Sequence, residues 1–390
     1  MKMKRIIKKY RGIFVYASML FFICFCIALK QSAMSGTDLF IHNHEFLNLS
    51  NTTQVELSYP LYHLVVLMVY IFGKLLFPVR MSVDIASAIV MGVIEVCVYY
   101  LACKMLMRYS VKEPEVIACM LCLVTAIWCP FYNINIYLGQ GSPNTWHSPT
   151  NMIVKPFAIL IFFMVIDLLC KIKQNEKLSI KECIIFSILL VLSALAKPSF
   201  YQGFIPALFL YIMVTLILIR FNFFNQYFIL GLCIIPSTLL ILFQMFSVFF
   251  LGEGSSGEGI GIGWFLVPKL YAHSILFSLF LLLCFPFCFS ILHKENLKRL
   301  DLKLAWVYFV ISSLEYGFLY EKGERFAHGN FGWAYSLATF ILFIITTGLF
   351  FEDFNINKMK DKILLGIWIL HGISGIFYVL ILIFVPKIWY

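Results

Sequence analysis

The chain has 390 residues, of which 62% are hydrophobic and only 13% are charged, and its mean hydropathy is +0.91. A soluble domain averages about 45–50% apolar and about 25% charged residues, so this composition excludes a soluble globular protein. The net charge of +10 does not indicate a nucleic-acid partner, because the basic residues form short clusters between apolar runs instead of one patch.

The predicted fold class is an all-α polytopic membrane protein, with residues 1–390 forming a single multi-span domain. The first apolar run follows a basic N-terminal segment and is predicted to be a retained signal-anchor helix whose N-terminus is cytoplasmic. The twelve cysteines lie mostly inside apolar runs and are predicted to be buried hydrophobic residues. About eleven transmembrane helices are predicted from run length, at residues 12–29, 82–107, 116–134, 151–170, 183–197, 202–219, 228–250, 273–292, 304–320, 333–351 and 363–386.

The run at 60–79 is also apolar, but it is predicted to lie at the outer interface or to be re-entrant. If it spanned the membrane, every later loop would invert and two lysine-rich loops would become external. If it does not span, about two thirds of the 30 Lys and Arg residues lie on the cytoplasmic side. Its polar residues Tyr62, His63 and Lys74 also suit the headgroup region better than a span.

This topology places the residues that could do chemistry in the non-cytoplasmic loops. Most of the eight histidines fall there, whereas the inner loops carry mainly solvated Lys, Arg, Glu and Asn. The expected localisation is a multi-pass protein of a bacterial cell membrane, with its active site on the non-cytoplasmic face. The predicted outer loops are residues 30–81, 135–150, 198–201, 251–272 and 321–332.

Asp38 is the acidic residue predicted to be catalytic. It follows the first span closely, near the membrane surface, where a carboxylate could accept a proton from a bound hydroxyl group. His42, His44 and Glu45 come next, on what is predicted to be an irregular loop that lacks the i, i+4 spacing of zinc hydrolases. Hydrogen bonding to sugar or phosphate is predicted for these three residues, with a divalent cation as the alternative.

Three basic residues of the outer loops are candidates for holding a phosphate near the headgroup plane: Lys197, Arg325 and His328. The alternative for Lys197 is that its side chain only extends to the interface. Glu95 lies near the middle of its span, which predicts a functional role or a polar partner on another helix.

Around Asp38 the sequence resembles the GT-C superfamily of membrane glycosyltransferases, which use polyprenyl-linked sugars. In that superfamily a first span leads into a long outer loop that opens with an acidic residue, here Asp38. A segment of the type Pro-Pro-Leu-Tyr-Tyr-Leu-Leu follows and closes with Phe-Gly; the corresponding segment here, 59–65, reads YPLYHLV and closes at 72–73, ahead of Arg80. A single Pro60 replaces the usual pair. The resemblance is specific only up to the end of the second span.

The resemblance implies an enzyme that takes a polyprenyl-phosphate-linked donor from the outer leaflet and moves its sugar to a glycan or lipid-linked acceptor. Asp38 would be the general base, and Lys197, Arg325 and His328 would stabilise the leaving lipid phosphate. Sugar contacts are expected from the second outer loop. No cofactor is identified, and a divalent cation stays open as the alternative. The predicted substrate-binding residues are His42, His44, Glu45, Tyr59, His63, Asn144, Trp146, His147, Lys197, Arg325, His328 and Asn330.

Three alternatives remain open from sequence alone. A polymerase that joins lipid-linked oligosaccharide repeats would need the same outer face, base and phosphate clamp. A transporter or flippase would favour paired repeats and broken helices near the midplane, which the sequence does not indicate. A membrane O-acyltransferase would need an intramembrane histidine, and His371 is the only histidine in the middle of a predicted span.

Overall fold

A computed structural model describes residues 2–48, 59–129, 131–132, 141–246 and 259–385. Within these ranges the chain is mainly α-helical, and its strands form one small antiparallel sheet, which confirms the all-α membrane-protein class. The helices are α1 (Lys2–Ser32), α2 (Asp38–Asn48), α3 (Pro60–Leu76), α4 (Val83–Arg108), α5 (Pro114–Leu123), α6 (Pro149–Lys173), α7 (Ile180–Ala196), α8 (Ser199–Leu218), α9 (Phe224–Leu232), α10 (Ile235–Phe246), α11 (Pro268–Tyr271), α12 (Ile275–Leu292), α13 (Leu300–Phe318), α14 (Gly332–Glu352) and α15 (Met359–Phe384). The strands are β1 (Ile260–Ile262) and β2 (Leu319–Glu321), and 3₁₀ helices cover Lys294–Lys298 and Gly323–His328.

Local sequence signals explain where several helices begin. Proline occupies the first turn of α3, α5, α6 and α11, where its missing N–H costs nothing. The Ser82 side chain accepts a hydrogen bond from the Ile85 N–H at 3.2 Å and caps α4. Ser179 and Glu182 form a reciprocal capping box at the start of α7.

Seven helices of the described residues are long and apolar enough to cross a membrane: α1, α4, α6, α8, α12, α14 and α15. Helices α9 and α10 pass the same test as a pair bent by 40°, which gives up to 8 candidates. Each of these matches a predicted span. The other predicted spans correspond to α5 and α7, which are shorter, and to α13, which carries Asp301, Lys303 and Glu315.

Helix α5 departs most from the sequence prediction. A continuous helix over 116–134 is wrong, because α5 ends at Leu123 and residues 124–125 continue in a non-helical conformation although they are buried. Neighbouring elements satisfy this backbone: the His371 ring contacts Thr125 O at 2.7 Å, and the Ser374 hydroxyl accepts from the Trp128 N–H at 3.0 Å. A second difference lies between α1 and α3, where α2 replaces the predicted irregular segment.

The ends of the helices sort onto two faces of the bundle. Lys30 near the end of α1 donates to Leu382 O at 2.9 Å, and Asn43 of α2 donates to Asp84 at the start of α4 at 2.7 Å. We call this end, which also carries Asp38, the Asp38 face. At the opposite end Arg108 bonds to Asp167, so the last turns of α4 and α6 meet there.

Three further contacts belong to this opposite end, which we call the Arg108 face. The Tyr109 hydroxyl donates to Asp301 at 2.9 Å, which joins the end of α4 to the start of α13. Arg299 lies 3.4 Å from Glu352, and the His293 ring lies 3.2 Å from Asp361. Helix α14 runs between the two faces and is buried over nearly all of its length, so it forms the centre of the bundle.

Candidate active site

Asp38 stands in the first turn of α2, and the residue before it explains why the helix begins there. The Thr37 hydroxyl accepts a hydrogen bond from the Phe40 N–H at 3.2 Å and donates to Gln31 O at 2.7 Å. The preceding Gly36 has a φ of 86°, which a residue with a side chain rarely adopts, and it turns the chain out of α1. A carboxylate in the first turn is also favoured by the helix dipole. Asp38 is therefore held at a defined position, partly exposed.

His147 reaches the same place from the segment that precedes α6. Residues 142–150 are all buried, and His147 itself is only 5% exposed. Its ring centroid lies 5.6 Å from that of Trp333 on α14. Burial lowers the pKa of His147 to about 4; the Asp38 carboxylate opposes this shift, and Lys197 adds to it. His147 is thus a neutral imidazole at physiological pH.

Lys197 follows α7 directly and is partly buried. Its ammonium lies 4.5 Å from the centroid of the Trp333 ring and 3.4 Å from the Thr150 hydroxyl. Burial lowers the pKa of Lys197 to about 8, while the carboxylates of Asp38 and Glu321 raise it. The amine is therefore mostly charged at pH 7 but loses its proton under mildly alkaline conditions.

Glu321 closes the other side of the site. It is the last residue of β2 and pairs with Ile260 of β1, which fixes its backbone. Asn330 donates to the Glu321 carboxylate and accepts from the Trp333 indole at 3.1 Å. The pKa of Tyr59 is raised by burial and by Glu321, and Arg325 opposes this shift, so both charges lie near Tyr59.

These contacts bring together most of the predicted phosphate-binding and catalytic residues. We call the group of Asp38, His147, Lys197, Glu321 and Arg325 the Asp38 site. It combines two carboxylates, a neutral imidazole and two cations, and two of its members, His147 and Lys197, lie against the Trp333 ring. Such a group can remove a proton from a hydroxyl and hold an anionic leaving group.

An apolar cavity of about 260 Å³ shares two chain segments with the site, because Gly141 and Ser142 precede His147 and Gly332 precedes Trp333. It is enclosed by α12, α13 and α14, and by the segment that begins at Gly141. Ser142 and Ser336 line it, and the Ser336 hydroxyl donates to Ser142 O at 2.7 Å. The cavity wall is therefore continuous with the chain segment that carries His147, and its lining suits a hydrocarbon chain.

The histidines of α2 and α3 form a separate group. The ring centroids of His42 and His63 are 5.2 Å apart, and His63 is 6% exposed. The His44 ring instead lies tilted against Phe40 with the ring centroids 3.9 Å apart, and it contacts Phe40 O at 2.9 Å. The side chain of Glu45 lies outside the described residues. In the described part of the chain, no group of three or more His, Cys, Asp and Glu residues has a metal-binding arrangement.

Asn144 and Trp146 lie inside the fold, each only 1% exposed. The Asn144 amide donates to Leu121 O and Val124 O, and its carbonyl accepts from Lys155. These are structural contacts, and they do not favour the predicted role of Asn144 in sugar binding. His328, at the end of the Gly323–His328 3₁₀ helix, is exposed.

The sequence interpretation missed three residues around the site: Glu321, Trp333 and Lys155. A lysine as the seventh residue of an apolar helix was the available signal for Lys155, since a charge within a span needs a partner. Glu95 is such a partner, since Lys155 interacts with it electrostatically.

Comparisons with protein-family models and with curated proteins find no match for this chain.

Proposed function

We propose that this chain is an integral membrane glycosyltransferase that moves a sugar from a polyprenyl-phosphate-linked donor to an acceptor hydroxyl. The observation that carries the proposal is that His147 and Lys197, from two distant segments, both lie against the Trp333 ring, where the charge of Asp38 acts on each of them. Five of the twelve predicted substrate-binding residues (Tyr59, His147, Lys197, Arg325 and Asn330) belong to this neighbourhood.

The proposed reaction assigns one role to each group. Asp38 accepts the proton of the acceptor hydroxyl as its oxygen bonds to the anomeric carbon of the sugar. The bond between that carbon and the phosphate oxygen breaks, and its electron pair leaves with the lipid phosphate. Lys197 and Arg325 stabilise the negative charge that develops there. His147, being neutral, donates or accepts a hydrogen bond to the sugar without adding charge.

The apolar cavity supports a lipid-linked donor over a soluble one, because its lining includes Gly141 and Ser142 of the segment that carries His147. In the proposed complex the hydrocarbon chain of the donor occupies this cavity, and the phosphate faces Lys197 and Arg325. The cell-surface glycan that accepts the sugar would approach from the other, exposed side of Asp38.

The proposal includes about eleven membrane crossings, a cytoplasmic N-terminus and an external Asp38 face. It is supported by the path of the chain, which leaves α1 and enters α4 at the same face, so that α2 and α3 need no crossing. An epitope inserted after Pro78 should be accessible only from outside sealed cells, and one inserted after Asn175 only from inside. If both epitopes are accessible from the same side of the membrane, this topology is wrong.

Asp38→Asn is the direct test of the reaction. In proteoliposomes supplied with a lipid-linked monosaccharide, this variant should turn over about 10²–10⁴ times more slowly, the usual contribution of a general base. Asp353→Asn changes an exposed carboxylate beyond α14 on the Arg108 face and should have wild-type turnover. A folded Asp38→Asn protein with full activity would exclude this mechanism. Replacing the donor with a lipid-linked oligosaccharide repeat distinguishes a polymerase.

A transporter is the second candidate, because Glu95 and Lys155 interact in the interior and α5 ends between buried helices. Transport predicts that labelled lipid-linked sugar crosses the bilayer without any new glycosidic bond. It also predicts that Asp38→Asn leaves the flux unchanged, which is the reverse of the result expected for transfer.

A further inference from the structure

The segment from 141 to 148, which carries His147, has no regular secondary structure of its own before α6 begins. Buried polar groups in such a segment must find partners within the protein, since no water or lipid can supply them. Here side chains from other elements provide the partners, and Asn144 is their centre.

Asn144 closes the end of α5. Because the chain turns extended at Val124, carbonyls in the last turn of α5 lose their helical N–H partners. The Asn144 amide donates to one of these oxygens, Leu121 O at 3.0 Å, and to the oxygen of the C-cap residue, Val124 O at 2.8 Å. One side chain therefore links the segment to the point where α5 stops.

Lys155 holds the other end of the same amide. Its ammonium donates to the Asn144 side-chain carbonyl at 2.6 Å and lies 4.1 Å from the centroid of the Phe340 ring. Lys155 is 2% exposed, and Glu95 of α4 supplies the opposite charge in the interior. Because the NH₂ group and the carbonyl oxygen of the Asn144 side chain both have hydrogen-bond partners, the orientation of the amide is fixed.

Contacts closer to the Asp38 face complete the attachment. Asn151, one turn before Lys155 on α6, donates to the Thr145 hydroxyl at 3.1 Å and accepts from Ser199 at 3.2 Å. The Ser142 hydroxyl donates to Asn144 O at 2.7 Å. Lys155 is the only cation among these groups, so its loss removes the strongest single bond of the network.

We propose that Lys155 is a positioning residue: acting through Asn144, it holds the 141–148 segment at the depth that presents His147 to Asp38 and Lys197. Its effect on catalysis rests on the proposed function, whereas its effect on the segment does not. Lys155 itself touches no residue of the Asp38 site.

The experiment measures the segment and the reaction separately. Hydrogen exchange of peptides covering 141–148 reports the segment, and modification by diethylpyrocarbonate reports exposure of His147. Lys155→Met should raise exchange of these amides at least tenfold and make His147 reactive, while exchange of α14 stays unchanged. Lys155→Gln keeps a donor for Asn144 and should give intermediate values. Lys104→Met, at an exposed lysine of α4, is the matched control and should behave as wild type.

Kinetics then test the catalytic consequence. Lys155→Met should lower kcat at least tenfold with a smaller change in KM, and Lys155→Gln should restore part of kcat.

A folded Lys155→Met protein whose 141–148 segment stays protected from exchange would overturn the proposal and leave the proposed function intact. A loosened segment with unchanged kcat would overturn the positioning role. If the wild type transfers no sugar, the proposed function fails, and hydrogen exchange still decides the role of Lys155. If Lys155→Met does not fold, Lys155→Gln against wild type gives the same comparison.

Discussion

Lys197 should set the alkaline limit of the reaction. Its ammonium lies over the Trp333 ring, and burial lowers its pKa to about 8, even though Asp38 and Glu321 favour the charged form. A lysine that stabilises a leaving phosphate works only when protonated. The rate should therefore be constant at neutral pH and fall as the pH rises through about 8.

The magnitude follows from that pKa. At pH 7 about nine tenths of the Lys197 amines are charged, and at pH 9 about one tenth. We expect kcat to fall about tenfold for each unit above pH 8. Lys197→Arg carries a guanidinium that stays charged beyond pH 12, so its alkaline limb should disappear. Lys197→Met lacks the charge at every pH and should lose about 10²–10³ in kcat.

The assay is transfer from a saturating lipid-linked donor between pH 6 and pH 9.5, with recovery of activity at pH 7 as the check on folding. Lys269→Arg changes a lysine of α11 outside the Asp38 site and should retain the wild-type profile. If Lys197→Arg is active and keeps the limb near pH 8, another group titrates there and the role assigned to Lys197 is wrong.

Two further predictions concern stability. His147 has a folded pKa of about 4 and an unfolded pKa of about 6.5, so the unfolded state gains a proton first as the pH falls. Stability should decline between pH 6.5 and 4 by up to about 3 kcal/mol, and His147→Asn should remove this dependence in thermal unfolding at pH 7.5 and 4.5. On α15, a Cβ at Gly375 would lie 1.6 Å from Leu123 O, whereas one at Gly366 would meet nothing within 4 Å. Gly375→Ala should cost about 1–3 kcal/mol or more, and Gly366→Ala should be neutral or stabilise by up to about 1 kcal/mol, so equal unfolding midpoints would contradict this packing.

The sequence was sufficient for the helices that obey simple rules of length and composition. Each of the seven long apolar helices coincides with a predicted span, because the cost of exposing backbone groups to lipid leaves few alternatives for such runs. The break in α5 was not predictable in the same way. Its residues are as apolar as those of a continuous span, and the groups that satisfy the unwound backbone come from α15 and from Asn144.

The same distinction applies to the residues of the candidate site. Asp38, Lys197 and Arg325 stand out in the sequence because charged residues next to the predicted outer ends of spans are few. The contacts of Asn144 and Glu321 could not be predicted because they depend on other elements of the fold: the end of α5 and Lys155 of α6 in one case, and Lys197 with Tyr59 in the other. Sequence position indicates which side chains reach the Asp38 face, but only packing separates the partly exposed ones from those that hold the fold together.

The Asp38 site and the network around Asn144 can therefore be described as two layers, an upper one and a lower one. The upper layer consists of partly exposed charges that can change partners when a substrate binds. Beneath it lies a network around Asn144 whose members are buried and whose side-chain amide is fully hydrogen-bonded. A rigid lower layer keeps His147 neutral and in place, so substrate binding need not order it. Substitutions in the upper layer should therefore alter rate and pH dependence with little effect on folding. Those in the lower layer should first loosen the 141–148 segment and only then lower the rate.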